Sequence, residues 1–175
     1  MNTEQSEDQA QALNLVDQVG GDLNQYLTFI LDGEEYGVDI LRVQEIKGWE
    51  KATKIPNTPR YIKGVINLRG AIVPIVDLRT RFDLDLIEYG KTTVVIVLKV
   101  ICSNGERTLG FVVDAVSEVY NVSPEQMKPA PEFGGAISID YIKGLATVGE
   151  KMVILLDIDH LLNEACLDET ERVTH

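Results

Sequence analysis

Histidine is nearly missing: the 175 residues include two, His160 and His175. The commonest general base and metal ligand is therefore in short supply. Nothing else pairs a nucleophile with a base. No GxSxG occurs, and Gly64 and Gly70 stand between strand-like runs rather than opening a helix. Neither a nucleophile elbow nor a phosphate cradle is written in the chain, and no cofactor motif is found. Cysteine is equally scarce. Cys102 and Cys166 lie 64 residues apart with no CxxC, and they are expected to be passive buried thiols. No apolar run approaches the roughly 18–20 residues that span a bilayer, and the start lacks the basic, apolar, small-residue order of a signal peptide. A cytoplasmic location is expected. The tails are short of positive charge: residues 1–25 carry five acids and no Lys or Arg, and residues 157–175 carry six acids against Arg172. With a net charge of −12, nucleic acid would be repelled.

What is present is ordinary in amount, 45 % apolar and 25 % charged, but not in arrangement. Tyr61 to Leu78 reads YIKGVINLRGAIVPIVDL, and Tyr141 to Ile158 reads YIKGLATVGEKMVILLDI. Six of eighteen positions are identical, including Asp77 with Asp157. A second register, offset by 73, aligns Gly37 with Gly110, Val43 with Val116, Glu45 with Glu118 and Ile46 with Val119. The offset grows to 80 between the two registers, which places an insertion near Phe133–Ser138, where loops tolerate it cheaply.

In chain order, residues 1–22 read as an acidic tail, with a short helix conceivable at Ala10–Val19. Strands are expected at Tyr26–Leu31 and Glu35–Ile40 around an Asp32-Gly33 turn. A continuation or bend follows to Ile46, then a Pro-containing loop to Arg60. The hairpin Ile62–Leu68 and Ala71–Val76 has Arg69-Gly70 at its tip, and Pro74 suits an edge or a bulge. Asp77 should cap a short helix to Phe82, and Asp83–Lys91 is a linker. The order then recurs: a strand from Thr92 to Ile101, an Asn104-Gly105 turn, strands over Leu109–Val113 and Ala115–Val119, a loop, the second hairpin, and a helix from Asp157 with Leu161, Leu162 and Ala165 on one face. About five short strands per unit suggest small barrels, one over 25–83 and one over 92–160. Units this small should share an apolar seam.

Three groupings invite a chemical reading. Asp157, Asp159 and His160 could suggest a metal, but acids at a helix start more often cap it. Asp77 and Asp157 could form an acid–base pair, yet duplication and capping explain their equivalence. Arg42 to Arg81 carries nine basic residues against three acids, either a solvated mixed-charge face or a patch for an acidic protein partner. Arg69, a planar five-donor fork at a hairpin tip, could anchor a partner. Ile40, Val43 and Val119 could fill the seam or line a groove.

The stretches EEYGVDILRVQEIKG (34–48), IPNTPRYIKGVINLRGAIVPIVDLR (55–79), TTVVIVL…GFVVDAVSEV (92–119) and PAPEF (129–133) closely resemble the CheW family of bacterial chemotaxis coupling proteins, over roughly residues 24–163. The resemblance implies an all-β fold with short helices: two SH3-like five-stranded barrel halves on a shared hydrophobic core, occupying 23–163 between the tails 1–22 and 164–175. It implies a non-catalytic adaptor, without cofactor or metal, that couples methyl-accepting chemotaxis receptors to the histidine kinase CheA through that kinase's regulatory domain. Such a protein would be recruited to receptor clusters without entering the membrane, with self-association in receptor arrays open to it. Matched position by position, Val43, Glu45, Arg69, Val94 and Val119 are expected on the receptor side, and Ile40 and Gly64 on the kinase side. Gly149 replaces Arg69 in the second unit, so only the first can use a tip arginine. A scaffold for another sensory kinase and a small hydrolase on a duplicated β scaffold are the alternatives.

Overall fold

The structure is a computed structural model that describes residues 24–103, 105–131 and 139–163; the expectations for Ala10–Val19, Asn104, Phe133–Ser138, Ala165 and the tails fall outside them. Strands β1 (Gln25–Leu31) and β2 (Glu34–Asp39) form a hairpin. Its turn residues Asp32 and Gly33 both have positive φ, the primed-turn geometry that Asp-Gly favours. The Asp39 carboxylate then accepts from Leu41 N and bends the chain through one turn of 3₁₀ helix at Ile40–Arg42. Strand β3 (Val43–Gly48) follows. Within the Pro-containing loop, Thr53 bridges Val65 of β4. Strands β4 (Ile62–Leu68) and β5 (Ala71–Asp77) form the hairpin with Arg69-Gly70 at its tip. Asp77 caps helix α1 (Leu78–Arg81), its side chain accepting from Arg79 N.

The order repeats as β6 (Val94–Cys102), β7 (Gly105–Val113), β8 (Ala115–Asn121), the two-residue β9 (Met127–Lys128), β10 (Ile142–Val148) and β11 (Lys151–Leu156). Asp157 caps helix α2 (Ile158–Leu161) through His160 N.

The strands assemble into two curled sheets, and the fold is all-β with short helices. One sheet runs β3-β6-β7-β5-β4 and the other β8-β1-β2-β11-β10-β9. This strand order differs from the expected one barrel per sequence half, 25–83 and 92–160. Each sheet takes its β1β2-type hairpin from one unit and its remaining strands from the other. The crossing points are two short parallel pairings, Ile75 with Gly110 and Leu155 with Gly37. They explain the Gly37/Gly110 equivalence. A Cβ on Gly37 would come 2.9 Å from Leu155 Cδ2, and one on Gly110 would come 2.8 Å from Ile75 Cδ1. Pro74 is not on an edge, because β5 lies between β4 and β7. It precedes the residues that pair with β7, however, so its missing N–H costs no ladder bond there.

Three apolar clusters follow from the exchange. Val73, Ile75, Val95, Val97 and Val112 fill one barrel. Tyr26, Val122, Ala146, Val153 and Leu155 fill the other. The largest joins them: Phe29, Tyr36, Phe82, Ile96, Leu98 and Phe111 meet Leu161 and Leu162 in the seam, with Phe29 stacked on Tyr36 and Tyr36 on Phe82. Burial, together with the charges of Glu34 and Asp32, raises the Tyr36 phenol to about 12.

Two bidentate ion pairs tie the short helices across the crossovers. The Arg79 guanidinium donates to both Asp114 oxygens at 2.9 and 2.6 Å and to Asp85 O at 2.8 Å. Asp32 N also donates to Asp114. Burial alone would raise the Asp114 carboxyl. The Arg79 hydrogen bonds and charge and the Asp32 N–H outweigh it, and the net shift is downward. At the related place in the other unit, Arg42 donates to both oxygens of Asp159 at 3.1 and 2.9 Å, and Ile101 N adds a third bond. Position 79 corresponds to 159 in the repeat, so the helix carries the cation in one unit and the anion in the other.

Cys102 is buried and disulfide-bonded. The expectation of a passive free thiol there is corrected; Cys166 lies outside the described residues.

Candidate functional site

The β4–β5 hairpin ends in a two-residue turn because Arg69 and Gly70 both take positive φ, 53° and 88°. Asn67 Oδ1 accepts from Gly70 N at 2.8 Å and stiffens the turn. The Arg69 side chain is 82 % exposed, and its Nη2 lies 3.6 Å from Glu45 Oε2. Glu45 is on β3, at the opposite edge of the same five-stranded sheet. The ion pair therefore spans the mouth of the barrel where its two edges curl together. Glu45 is 21 % exposed. It stands at a bulge between Val43 and Glu45, facing Val97 of β6.

Val43 and Val94 lie along the same two strands, Val43 opposite Leu98 and Val94 opposite Gly48. Val43 is buried in the seam cluster, and Val94 packs on that cluster from a half-buried position. Val119 is half-buried as well, but on β8 of the other sheet, opposite Leu27. The structure thus brings Glu45 and Arg69 to within 3.6 Å of each other, while Val43 and Val94, on the same strands, pack on the seam cluster rather than on the barrel-interior face that Glu45 shares with Val97. Val119 occupies in the second barrel the place that Ile46 has in the first. Ile40 is wholly buried, so its side chain supports the β2–β3 bend rather than facing outward. Gly64 is buried in a bulge with φ 140°, where a Cβ would sit 2.2 Å from Thr53 O. Its requirement is backbone space.

The basic surplus between Arg42 and Arg81 is largely engaged within the molecule. Arg42 pairs with Asp159, Lys47 with Glu50, Lys63 with Asp77, Arg69 with Glu45, and Arg79 with Asp32 and Asp114. Arg81 lies over the rings of Tyr61 and Tyr141, 5.1 and 4.6 Å from their centroids. Those two tyrosines open the two repeat stretches. Reading the repeat as a symmetry would have pointed to a cation between them; composition alone did not.

The other chemical groupings resolve as structure. Asp77 is buried; beyond its cap it accepts from the Tyr89 hydroxyl, with Lys63 Nζ 3.8 Å away. Burial, and after it the bond to Asp77, pushes the Tyr89 phenol up. Asp157 holds His160 Nδ1 at 3.0 Å, and that hydrogen bond raises the imidazole's pKa. Asp159 faces Arg42 instead. Among the described residues no group of three His, Cys, Asp or Glu side chains could hold a metal ion, and no helix is long and apolar enough to cross a membrane.

A duplicated, strand-exchanged pair of β barrels with an arginine-tipped hairpin in one unit alone is a specific combination. The family model for the CheW-like domain matches residues 25–166. The chain belongs to the CheW-like family. A chemotaxis protein CheW of Klebsiella aerogenes is 51 % identical over 139 residues, covering 79 % of this chain and 81 % of its own. One from Rhizobium meliloti is 35 % identical over 133 residues, 76 % of this chain and 83 % of its own. In three dimensions the chain is similar to the crystal structure of scaffolding protein TtCheW from Thermoanaerobacter tengcongensis: TM-score 0.72, 33 % identity, 80 % of this chain and 92 % of that one. This CheW-like chain is therefore a chemotaxis protein with a coupling or scaffold role, whose similar proteins are named for chemotaxis and scaffolding.

Proposed function

We propose that this CheW-like chain couples methyl-accepting chemotaxis receptors to the histidine kinase CheA, and that it does so by binding alone, without a catalytic step. The observation that carries the reading is the Arg69–Glu45 pair at the mouth of the first barrel. An 82 % exposed guanidinium on a stiff two-residue turn leaves most of its donors to a partner. Glu45, 21 % exposed, attracts it by charge at 3.6 Å without a hydrogen bond. This polar anchor suits the polar side of an amphipathic helix, the form expected of a receptor's cytoplasmic tip. Half-buried Val94, opposite Gly48, packs on the seam cluster at the other face of the sheet, so in this reading it is a separate apolar element of the receptor side. Val119 belongs to the receptor side in this reading. Val43 shapes that surface from beneath.

The kinase side centres on the barrel framework that Ile40 and Gly64 hold in shape. Their burial assigns them an indirect role: Ile40 anchors the β2–β3 bend, and Gly64 lets Thr53 close on β4. Holding receptor and kinase at once raises the effective concentration of one at the other. Location in the cytoplasm and recruitment to receptor clusters follow from these partners.

Sedimentation with receptor-bearing membranes tests the receptor side. Arg69→Ala and Glu45→Ala should each lower the amount of protein pelleted at least about fivefold, an effect of about 1 kcal/mol, with far-UV circular dichroism unchanged. Undiminished pelleting of both variants would contradict the assignment.

A further inference from the structure

The repeat relates the two barrel mouths residue by residue, and the second mouth lacks what fills the first. Glu45 and Glu118 occupy the same bulge. In one barrel Val43 and Glu45 face Leu98 and Val97; in the other Val116 and Val119 face Phe29 and Leu27, with Glu118 fixed between them by Thr28 Oγ1 at 2.9 and 3.0 Å from its backbone O and N. The hairpin tips correspond as well, since Leu68 pairs with Ala71 and Val148 with Lys151. Where Arg69 approaches Glu45, the second tip has Gly149, and among the described residues nothing beyond its chain neighbours lies within 4 Å of where its Cβ would be.

The second mouth is also richer in acceptors. Glu35 is 8 % exposed. Its Oε1 lies 3.9 Å from Lys151 Nζ, and its Oε2 is buried with no hydrogen-bond partner among the described residues. Tyr120 on β8 adjoins both acids: burial, and then the charges of Glu35 and Glu118, raise its phenol. A buried carboxylate oxygen left without a donor is costly, and a guanidinium can supply two donors in one plane.

We propose that the mouth of the second barrel, formed by Glu35, Glu118, Tyr120 and the tip Val148–Lys151, binds an arginine side chain presented by a partner protein. The first barrel is a partial internal precedent: the same fold position and the same acid, with the Arg69 guanidinium 3.6 Å from Glu45 Oε2 by charge alone, that oxygen also being buried without a hydrogen bond among the described residues. The partner's arginine takes the place that Arg69 takes there, with one edge on Glu118 and the other toward Glu35 Oε2. Lys151, 64 % exposed, swings toward solvent to admit it.

The test is a titration of the isotopically labelled full chain with N-acetyl-arginine N-methylamide, followed by amide NMR shifts. Saturable shifts are expected at residues 118–121 and 148–151. Glu118→Gln should weaken them about tenfold, the loss of one charged hydrogen-bond partner. Gly149→Arg should abolish them, because the new side chain fills the site from within; Arg69 at φ 53° shows that the turn accepts it. N-acetyl-citrulline N-methylamide, neutral and of the same shape, should give none. Absence of saturable shifts with the arginine probe, equal shifts with citrulline, or an undiminished response in Gly149→Arg would each overturn the proposal. No receptor or kinase enters the titration, so its failure leaves the coupling function standing.

Discussion

At the scale of single residues, the surface and the interior make opposite demands. Arg69 is exposed and its pair with Glu45 is stretched to 3.6 Å. Arg69→Ala should change unfolding free energy by no more than about 1 kcal/mol while weakening partner binding, a split that urea denaturation beside pelleting resolves. Gly64 is the reverse. With φ 140° and Thr53 O only 2.2 Å from where a Cβ would sit, Gly64→Ala should cost about 2–4 kcal/mol, read as a lower urea midpoint. Any loss of kinase binding in that variant would then follow from a deformed barrel. Sequence resemblance pointed to Arg69 and Gly64 alike and could not separate them, because exposure is a property of the assembled sheet. Ile40 shows the same limit: its place in an alternating run marks it as apolar, and the tertiary packing alone shows it to be wholly buried.

At the scale of elements, the two helices of one turn each are held by side chains rather than by length, as their size requires. Asp77 and Asp157 cap them, as their position at the end of a strand foretold. The Arg79–Asp114 and Arg42–Asp159 bridges were not legible, since the partners are 35 and 117 residues apart and the sign of charge switches between units. Removing one member leaves the other desolvated. Asp114→Ala should therefore cost about 2–3 kcal/mol, and a double-mutant cycle with Arg79→Ala should show strong coupling. The Asp114 carboxyl lies below its ordinary range in the folded state. Its contribution is thus complete above the unfolded pKa, about 4, and is lost as pH falls through the lower folded value. Urea titrations below pH 4 should show the wild type losing stability more steeply than Asp114→Asn.

At the scale of the whole molecule, the repeat was plain and its consequence was not. Equivalent residues at offsets of 73 and 80 revealed two copies of one unit, and local patterning placed the strands well: turn signals at Asp32-Gly33 and Arg69-Gly70 fall where the hairpins turn. Strand exchange leaves no such local mark, because it depends on which hairpin pairs with which across parallel contacts of two and three residues. The exchange has a measurable result. Fragments cut in the linker, 1–87 and 88–175, each lack strands of both barrels. Separately they should show little β structure by circular dichroism, and mixed they should recover the native spectrum and a 1:1 complex. Two independently folded halves would contradict the exchanged topology.

The proposed coupling function belongs to the same scale, because it requires that two partners be held at once. Reconstitution of CheA autophosphorylation with receptor-bearing membranes tests that most directly. Adding this protein should bring kinase activity under attractant control, and Arg69→Ala should reduce that control with the fold intact. Attractant control that is equally strong without the protein would contradict the account.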